Sequence, residues 1–208
     1  MLKLYYYPRA CSLASHIALE EAGAEFEAVS VDLAGGEQRG PEFLGVNSKG
    51  RVPALVTDEG ILTENPAILM YIAMTYPEAN LAPLDNPFEL ARIQSFNAYL
   101  SSTVHVAHAH GPRGIRWADE PASLEDMKRK VPQTMTESFS LIEQQYFQGP
   151  WVTGGDYTIS DMYLFTISSW MEADGVDPGK FPRMLDHRQR MLERPAVTRA
   201  LNSETGNS

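Results

Sequence analysis

The chain opens with a strand, a helix and a second strand packed into about thirty residues, and that spacing limits the fold more than any later stretch. Leu2-Lys3-Leu4-Tyr5-Tyr6-Tyr7 is a short run of leucine and tyrosine that reads as a strand. Pro8 stops it, because proline has no backbone N–H to offer a ladder. A helix is predicted from about Ser12, with Leu13 and Ile17 spaced by four, Ala14 and Ala18 beside them, and Gly23 placed to close it. Glu25 to Val31 alternates well enough for the second strand. Such a βαβ unit places its strands parallel with a right-handed crossover. Cys11, the only cysteine in 208 residues, falls where the helix starts. Free N–H groups and the positive end of the helix dipole favour an anion there, so the site suits a thiolate, either its own or one that it helps to hold. A buried structural cysteine is the alternative.

The rest of the first eighty residues continues the mixed pattern. Asp32 to Gly40 is polar and glycine-rich, and Glu42-Phe43-Leu44 suggests a short helix before the loop Asn47 to Pro53. Ala54–Thr57 and Ile61–Thr63 flank Asp58-Glu59-Gly60 and predict an antiparallel hairpin. Asn65 as N-cap and Pro66 as first helical residue begin a helix to about Met74. The order is βαβαββα. Pro77 to Pro87 carries three prolines and reads as a linker. Beyond Phe88 the strand signal fades, and helices are expected over 88–110, 124–148, 158–173 and 181–193. Thr158-Ile159-Ser160-Asp161 has the form of a capping box, and Ser203 to Ser208 is expected to fray. Two domains follow: an α/β unit over 1–80 and an all-helical unit over 87–208.

With 43% hydrophobic and 10% aromatic residues the chain supports real cores. Its formal charge of −10 argues against nucleic acid and anionic membrane surfaces as partners. No apolar run is long enough to span a bilayer, and the start lacks the pattern of a signal peptide. A single cysteine excludes an internal disulfide and fits a reducing compartment, so a cytoplasmic location is expected. Without a Cys-x-x-Cys there is no two-thiol redox cycle. His105, His108 and His110 do not make a metal site, since only His105 and His108 share a helix face and no acidic or cysteine neighbour completes a set.

Four segments together resemble the cytosolic glutathione transferases, most closely the bacterial beta class. They are the Tyr-Tyr-Tyr-Pro-Arg-Ala-Cys11-Ser12-Leu-Ala-Ser-His opening, the Asn47-x-Lys-Gly-x-Val52-Pro53 loop, Thr63-Glu64-Asn65 with its helix, and the Thr158 to Asp161 box. The resemblance implies a thioredoxin-like N-terminal domain, a helical C-terminal domain, and glutathione as co-substrate without a metal. It implies that Val52 offers its backbone to the tripeptide as an added strand, ahead of a cis peptide bond to Pro53. Glu64 and Asn65 would hold the γ-glutamyl end, and His105 would approach the thiol. Cys11 and Ser12 would share the environment of the sulfur. His108, Trp117 and Trp170 are the candidates for a pocket that takes a small apolar electrophile. Activation of the thiol for attack on electrophiles, a detoxification role and a homodimer are implied as well.

Two departures from the family pattern stand out. Gly35 or Gly36 replaces a basic residue, which leaves the glycyl carboxylate to Gln38, Arg39 or Lys49. An asparagine ahead of the histidine is replaced by Ala98, with Asn97 next door on another helix face. The alternative readings are a glutathione-dependent thiol-disulfide reductase acting through Cys11, and a non-catalytic binding protein of the same fold.

Overall fold

The computed structural model describes residues 1–206. Strand β1 (Leu2–Tyr6) lies inside a four-stranded sheet of order β2-β1-β3-β4. Strand β2 (Phe26–Ser30) runs parallel to it, with Leu4 opposite Ala28. Strand β3 (Ala54–Thr57) is antiparallel to β1, with Leu4 opposite Leu55, and β4 (Gly60–Thr63) completes the hairpin, with Leu55 opposite Leu62. The crossover helix α1 (Leu13–Glu21) starts one residue after Ser12. Helix α2 (Pro41–Val46) and helix α3 (Asn65–Thr75) follow the expected order.

Alternation along β1 divides the packing. Leu4 and Tyr6 enter the main core with Leu13, Ile17, Ile68, Leu69 and Ile72, whereas Tyr5 and Tyr7 turn to a small cluster of Val31, Phe43 and Val52. Helix α1 is buried from Leu13 through Leu19. It is covered by the sheet on one side and by later helices on the other, so its first seven residues are hidden without an amphipathic stripe.

The helical half begins with α4 (Pro87–Tyr99), capped by Asn86. The helix expected over 88–110 is continuous but not regular: a π turn spans Leu100–Val104 before α5 (His105–Ala109). A π turn lengthens the hydrogen-bond ring and rotates everything after it, here beginning with His105. Helix α6 (Pro121–Leu141) starts earlier than Leu124, because Pro121 has the fixed φ of a first helical residue. Helix α7 (Ile159–Ser168) is buried throughout and carries the capping box at Thr158 and Asp161. It ends before Ala173, where the chain turns through Gly175 at φ +73°. Helix α8 (Pro182–Leu192) covers it.

The expected frayed tail is corrected for Ser203 to Thr205, which belong to a further helix, α9 (Pro195–Thr205). Asn207 and Ser208 lie outside the described residues. Ala196, Val197, Ala200 and Glu204 form its buried face against α1, a spacing masked in the sequence by the polar residues around it. The carboxylate of Glu204 is buried, yet it accepts from Arg9 N–H at 2.8 Å and from His16 Nδ1–H at 3.2 Å. These bonds replace the water that a free tail would have kept. Arg194 on Glu21 and Arg199 on Glu20 add ion pairs between the same elements. Among the described residues, no helix is long and apolar enough to cross a membrane.

Candidate active site

A cavity of about 350 Å³ opens between the two halves. Its α/β wall is the Tyr7–Cys11 segment, the 50–53 loop and the start of α3; its helical wall comes from α5, the 112–117 segment, Tyr163 and Trp170.

Arg9 adopts φ +59°, a left-handed conformation that side chains rarely tolerate unless their surroundings impose it. Here Glu204 accepts its N–H and Trp170 Nε1 donates to its carbonyl at 3.1 Å, so the helical half holds the turn that delivers Cys11. The Cys11 thiol donates to Val52 O at 3.3 Å, and the peptide bond from Val52 to Pro53 is cis. Burial pushes the thiol up to about 12, aided by the charge of Glu64; the N–H groups of Cys11 and Ser12 and the Arg116 guanidinium pull downward and lose. Cys11 therefore stays a protonated thiol at neutral pH, not the free thiolate that its helix position suggests.

Ser12 is corrected. It is fully buried and does not line the cavity; its hydroxyl accepts from Tyr7 N–H and donates to Tyr7 O, both at 3.2 Å. With its one proton committed to Tyr7 O, the hydroxyl has no donor left for a substrate thiolate.

Asn65 is nearly buried and works as a cross-brace. Its Oδ1 accepts from Ser15 Oγ and its Nδ2 donates to Cys11 O, each at 2.7 Å. The N-cap of α3 is Glu64 instead, at φ +75°, with its carboxylate 2.6 Å from Lys49 Nζ. Lys49 also donates to Thr63 Oγ1 at 2.6 Å and does not line the cavity. Gln38 does line it, with its Oε1 buried and unpartnered. Gly50, at φ +59°, lies so close to the Gln38 carbonyl that a Cβ would sit 2.9 Å from its oxygen. Only glycine allows the two loops to meet there.

On the helical wall, His105 and His108 flank Trp170, with ring centroids at 5.1 and 4.2 Å. His108 Nδ1–H donates to the nearly buried Asp174, whose oxygens lie at 2.8 and 2.9 Å. Burial lowers His105 to about 4, reinforced by His108, Arg116 and Arg51, so its ring is neutral at physiological pH. Trp117 stacks on His110 at 4.4 Å and lines the rim. Among the described residues, no group of three or more His, Cys, Asp or Glu side chains is placed to hold a metal ion.

Cys11, Gln38, Val52, Pro53, Glu64, Asn65, His105, His108, Trp117 and Trp170 thus line one cavity, although they come from distant parts of the chain. Sequence reasoning missed Arg9, Arg51, Arg113, Arg116 and Tyr163, which line it too. Arg9 sits inside the opening motif and Arg51 inside the Asn47–Pro53 motif, and both were legible there; Arg113, Arg116 and Tyr163 belong to no local pattern.

A thioredoxin-like sheet that presents a thiol at a helix start beside a cis-proline loop, roofed by helices, defines an enzyme that binds a peptide thiol. The chain matches the family models described as "Glutathione S-transferase, N-terminal domain" over residues 1–74 and "Glutathione S-transferase, C-terminal domain" over 94–195. It is 35% identical to glutathione S-transferase GstA of Escherichia coli O157:H7, over 98% of each chain. Among solved structures it resembles a glutathione transferase homologue from Sulfitobacter with bound glutathione, at 42% identity and TM-score 0.95, covering 100% of this chain and 99% of that one. It also resembles the beta-class enzyme of Sphingomonas chungbukensis, at 36% identity and TM-score 0.86, with 99% and 100% covered. The chain belongs to the glutathione S-transferase family. It is a glutathione transferase, with glutathione as its co-substrate.

Proposed function

We propose that this transferase ionises glutathione at the start of α1 and delivers the thiolate to a small electrophile held against α5 and Trp170, with the domains divided as 1–80 and 87–208. The observation that carries the reading is the position of Cys11: at a helix start, 3.3 Å from Val52 O, on the wall of a cavity that also presents His105. Val52 offers the backbone edge of an extended peptide. Glu64 meets the ammonium of the γ-glutamyl end, while the α3 N-terminus attracts its carboxylate. Asn65 positions Cys11 through the carbonyl brace. Arg51, whose side chain has no salt bridge or hydrogen bond among the described residues, and Gln38 with its unpaired Oε1 take the glycyl end; Lys49 is committed to Glu64.

Cys11 acts as a hydrogen-bond donor and not as the nucleophile, since a buried thiol gives a proton to a neighbouring anion more readily than it ionises. His105, neutral, supplies a second polar contact to the sulfur. His108, Trp117 and Trp170 form the electrophile's wall. A homodimer is supported by the exposed Met74 and Phe88, on α3 and α4. A cytoplasmic detoxification role agrees with a lone reduced cysteine.

The test measures conjugation of 1-chloro-2,4-dinitrobenzene and reduction of a glutathione mixed disulfide on one preparation. Conjugation that survives Cys11→Ala at a reduced rate supports the donor role. Disulfide reduction that exceeds conjugation in the wild type and vanishes in the variant assigns the thiol-disulfide reductase instead. Neither activity, with glutathione still bound, leaves a binding protein.

A further inference from the structure

The chain is acidic overall, yet its cavity is lined by four arginines, Arg9, Arg51, Arg113 and Arg116, against one carboxylate, Glu64, which already pairs with Lys49. Of the eight arginines outside the cavity, six (Arg92, Arg129, Arg188, Arg190, Arg194 and Arg199) pair with acidic side chains, and Arg183 donates to the Glu143 carbonyl. Among the described residues, the four cavity arginines have no salt bridge and donate no side-chain hydrogen bond. Unpaired guanidinium groups that converge on a concave site repel one another and attract anions.

Glutathione accounts for part of this charge. Its two carboxylates fall to the α3 N-terminus and the Arg51 side of the cavity under the reading above. Arg113 and Arg116 belong to the helical wall, on the segment after α5, beside Trp117 and across the cavity from Cys11. Arg113 is half-buried and Arg116 exposed, and the Arg51 and Arg113 guanidiniums crowd Arg116 with like charge. Like charges gathered at one site repel one another, and an anionic ligand relieves that repulsion. The carboxylate of Asp174 accepts from His108 Nδ1–H and does not line the cavity.

We infer that Arg113 and Arg116 form an anion subsite for the second substrate, and that the electrophile carries a carboxylate instead of being purely apolar. This rests on the transferase reading. A planar acid with its reactive carbon a few ångströms from the acid group would put the carboxylate on the guanidiniums, the ring against Trp170 and Trp117, and the electrophilic carbon toward the thiolate.

The experiment compares 4-chloro-3-nitrobenzoate with its amide at saturating glutathione. In both reactions the thiolate forms a carbon–sulfur bond as the carbon–chlorine bond breaks, chloride leaves with the bonding pair, and the thiol proton goes to solvent. The acid is intrinsically the poorer electrophile, so a higher kcat/KM for it reports binding. Calorimetry with the unreactive 3-nitrobenzoate and 3-nitrobenzamide supplies a readout without turnover. We expect the acid to be favoured about tenfold in each assay, as for one charge-assisted contact. Arg116→Gln and Arg113→Gln should remove that preference while the KM for glutathione stays within about twofold. Arg116→Lys should retain part of it. Added salt should weaken binding of the acid and not of the amide, which decides the matter even if the glutamine variants fail to fold. Equal or better binding of the amide overturns the proposal, as does a loss in the variants that falls on glutathione instead of the acid. Failure to conjugate 1-chloro-2,4-dinitrobenzene as well as both of these compounds would refute the transferase reading, and the calorimetric comparison would still judge the subsite.

Discussion

Replacing Asp161 with alanine removes a buried acceptor from the start of α7. Its Oδ2 accepts from Thr158 N–H at 2.8 Å and from Thr158 Oγ1 at 3.3 Å; its Oδ1 accepts from Val152 N–H at 2.9 Å and from His187 Nε2–H at 3.1 Å. Asp161, Val152, Thr158 and His187 are all buried, so water does not readily take over. Each donor left unpaired costs about 1–3 kcal/mol. The hydroxyl can rotate away, and three donors toward the low end of that range, the capping-box contact to Thr158 N–H among them, come to about 4 kcal/mol. That is a large part of the roughly 5–15 kcal/mol that stabilises a typical native protein. For a chain of this size it corresponds to a fall in Tm of about 8–16 °C. Asp161→Asn keeps the shape but turns an amide N–H toward one donor, and should fall between. The assay is thermal unfolding by circular dichroism, paired with conjugation measured well below the transition. Because Asp161 does not line the cavity, a folded variant should keep most of its turnover. A Tm within about 2 °C of wild type with activity abolished would refute the structural assignment and place Asp161 in the chemistry.

Three further outcomes are expected. At pH 7.5 and without glutathione, Cys11 should react with iodoacetamide more than about a hundredfold more slowly than a free cysteine, because burial holds its thiol up near 12; peptide-level mass spectrometry measures the rate, and a reaction as fast as free thiol would rule out the protonated donor. His105 has a folded value depressed to about 4 from 6.5, so the unfolded chain binds the extra proton first and stability falls as pH drops from about 6.5 toward 4. Melting curves at pH 7 and pH 5 should show a smaller loss for His105→Gln than for wild type, and equal losses would mean that the ring is solvated. Glu204→Ala frees the Arg9 N–H and the buried His16 Nδ1 together, which should destabilise by about 2–4 kcal/mol and also loosen the turn that delivers Cys11. The readouts are Tm and the rate of Cys11 alkylation, which should rise; an unchanged alkylation rate would show that Trp170 alone holds the turn.

The elements of the first half follow from short-range chemistry. Alternation in Leu2–Tyr7, proline at its end, a four-residue apolar spacing and a glycine close the βαβ unit without help from elsewhere, and the Thr158–Asp161 box is a contact between residues three apart. The Val52–Pro53 loop and Glu64 were legible as motifs, because backbone presentation depends on a few adjacent residues. Tertiary structure decided the rest. α9 was hidden because one of its four buried residues is a glutamate held on His16 and Arg9, at sequence separations of 188 and 195. Ser12 faces inward because the Tyr7 turn takes both its donor and its acceptor. The thiol of Cys11 stays protonated because burial outweighs the helix start, a balance set by what packs over it. Arg113 and Arg116 carry no pattern at all; they become a site only when the segment after α5 folds across from Cys11, since charge repulsion and anion attraction depend on distance in space and not along the chain.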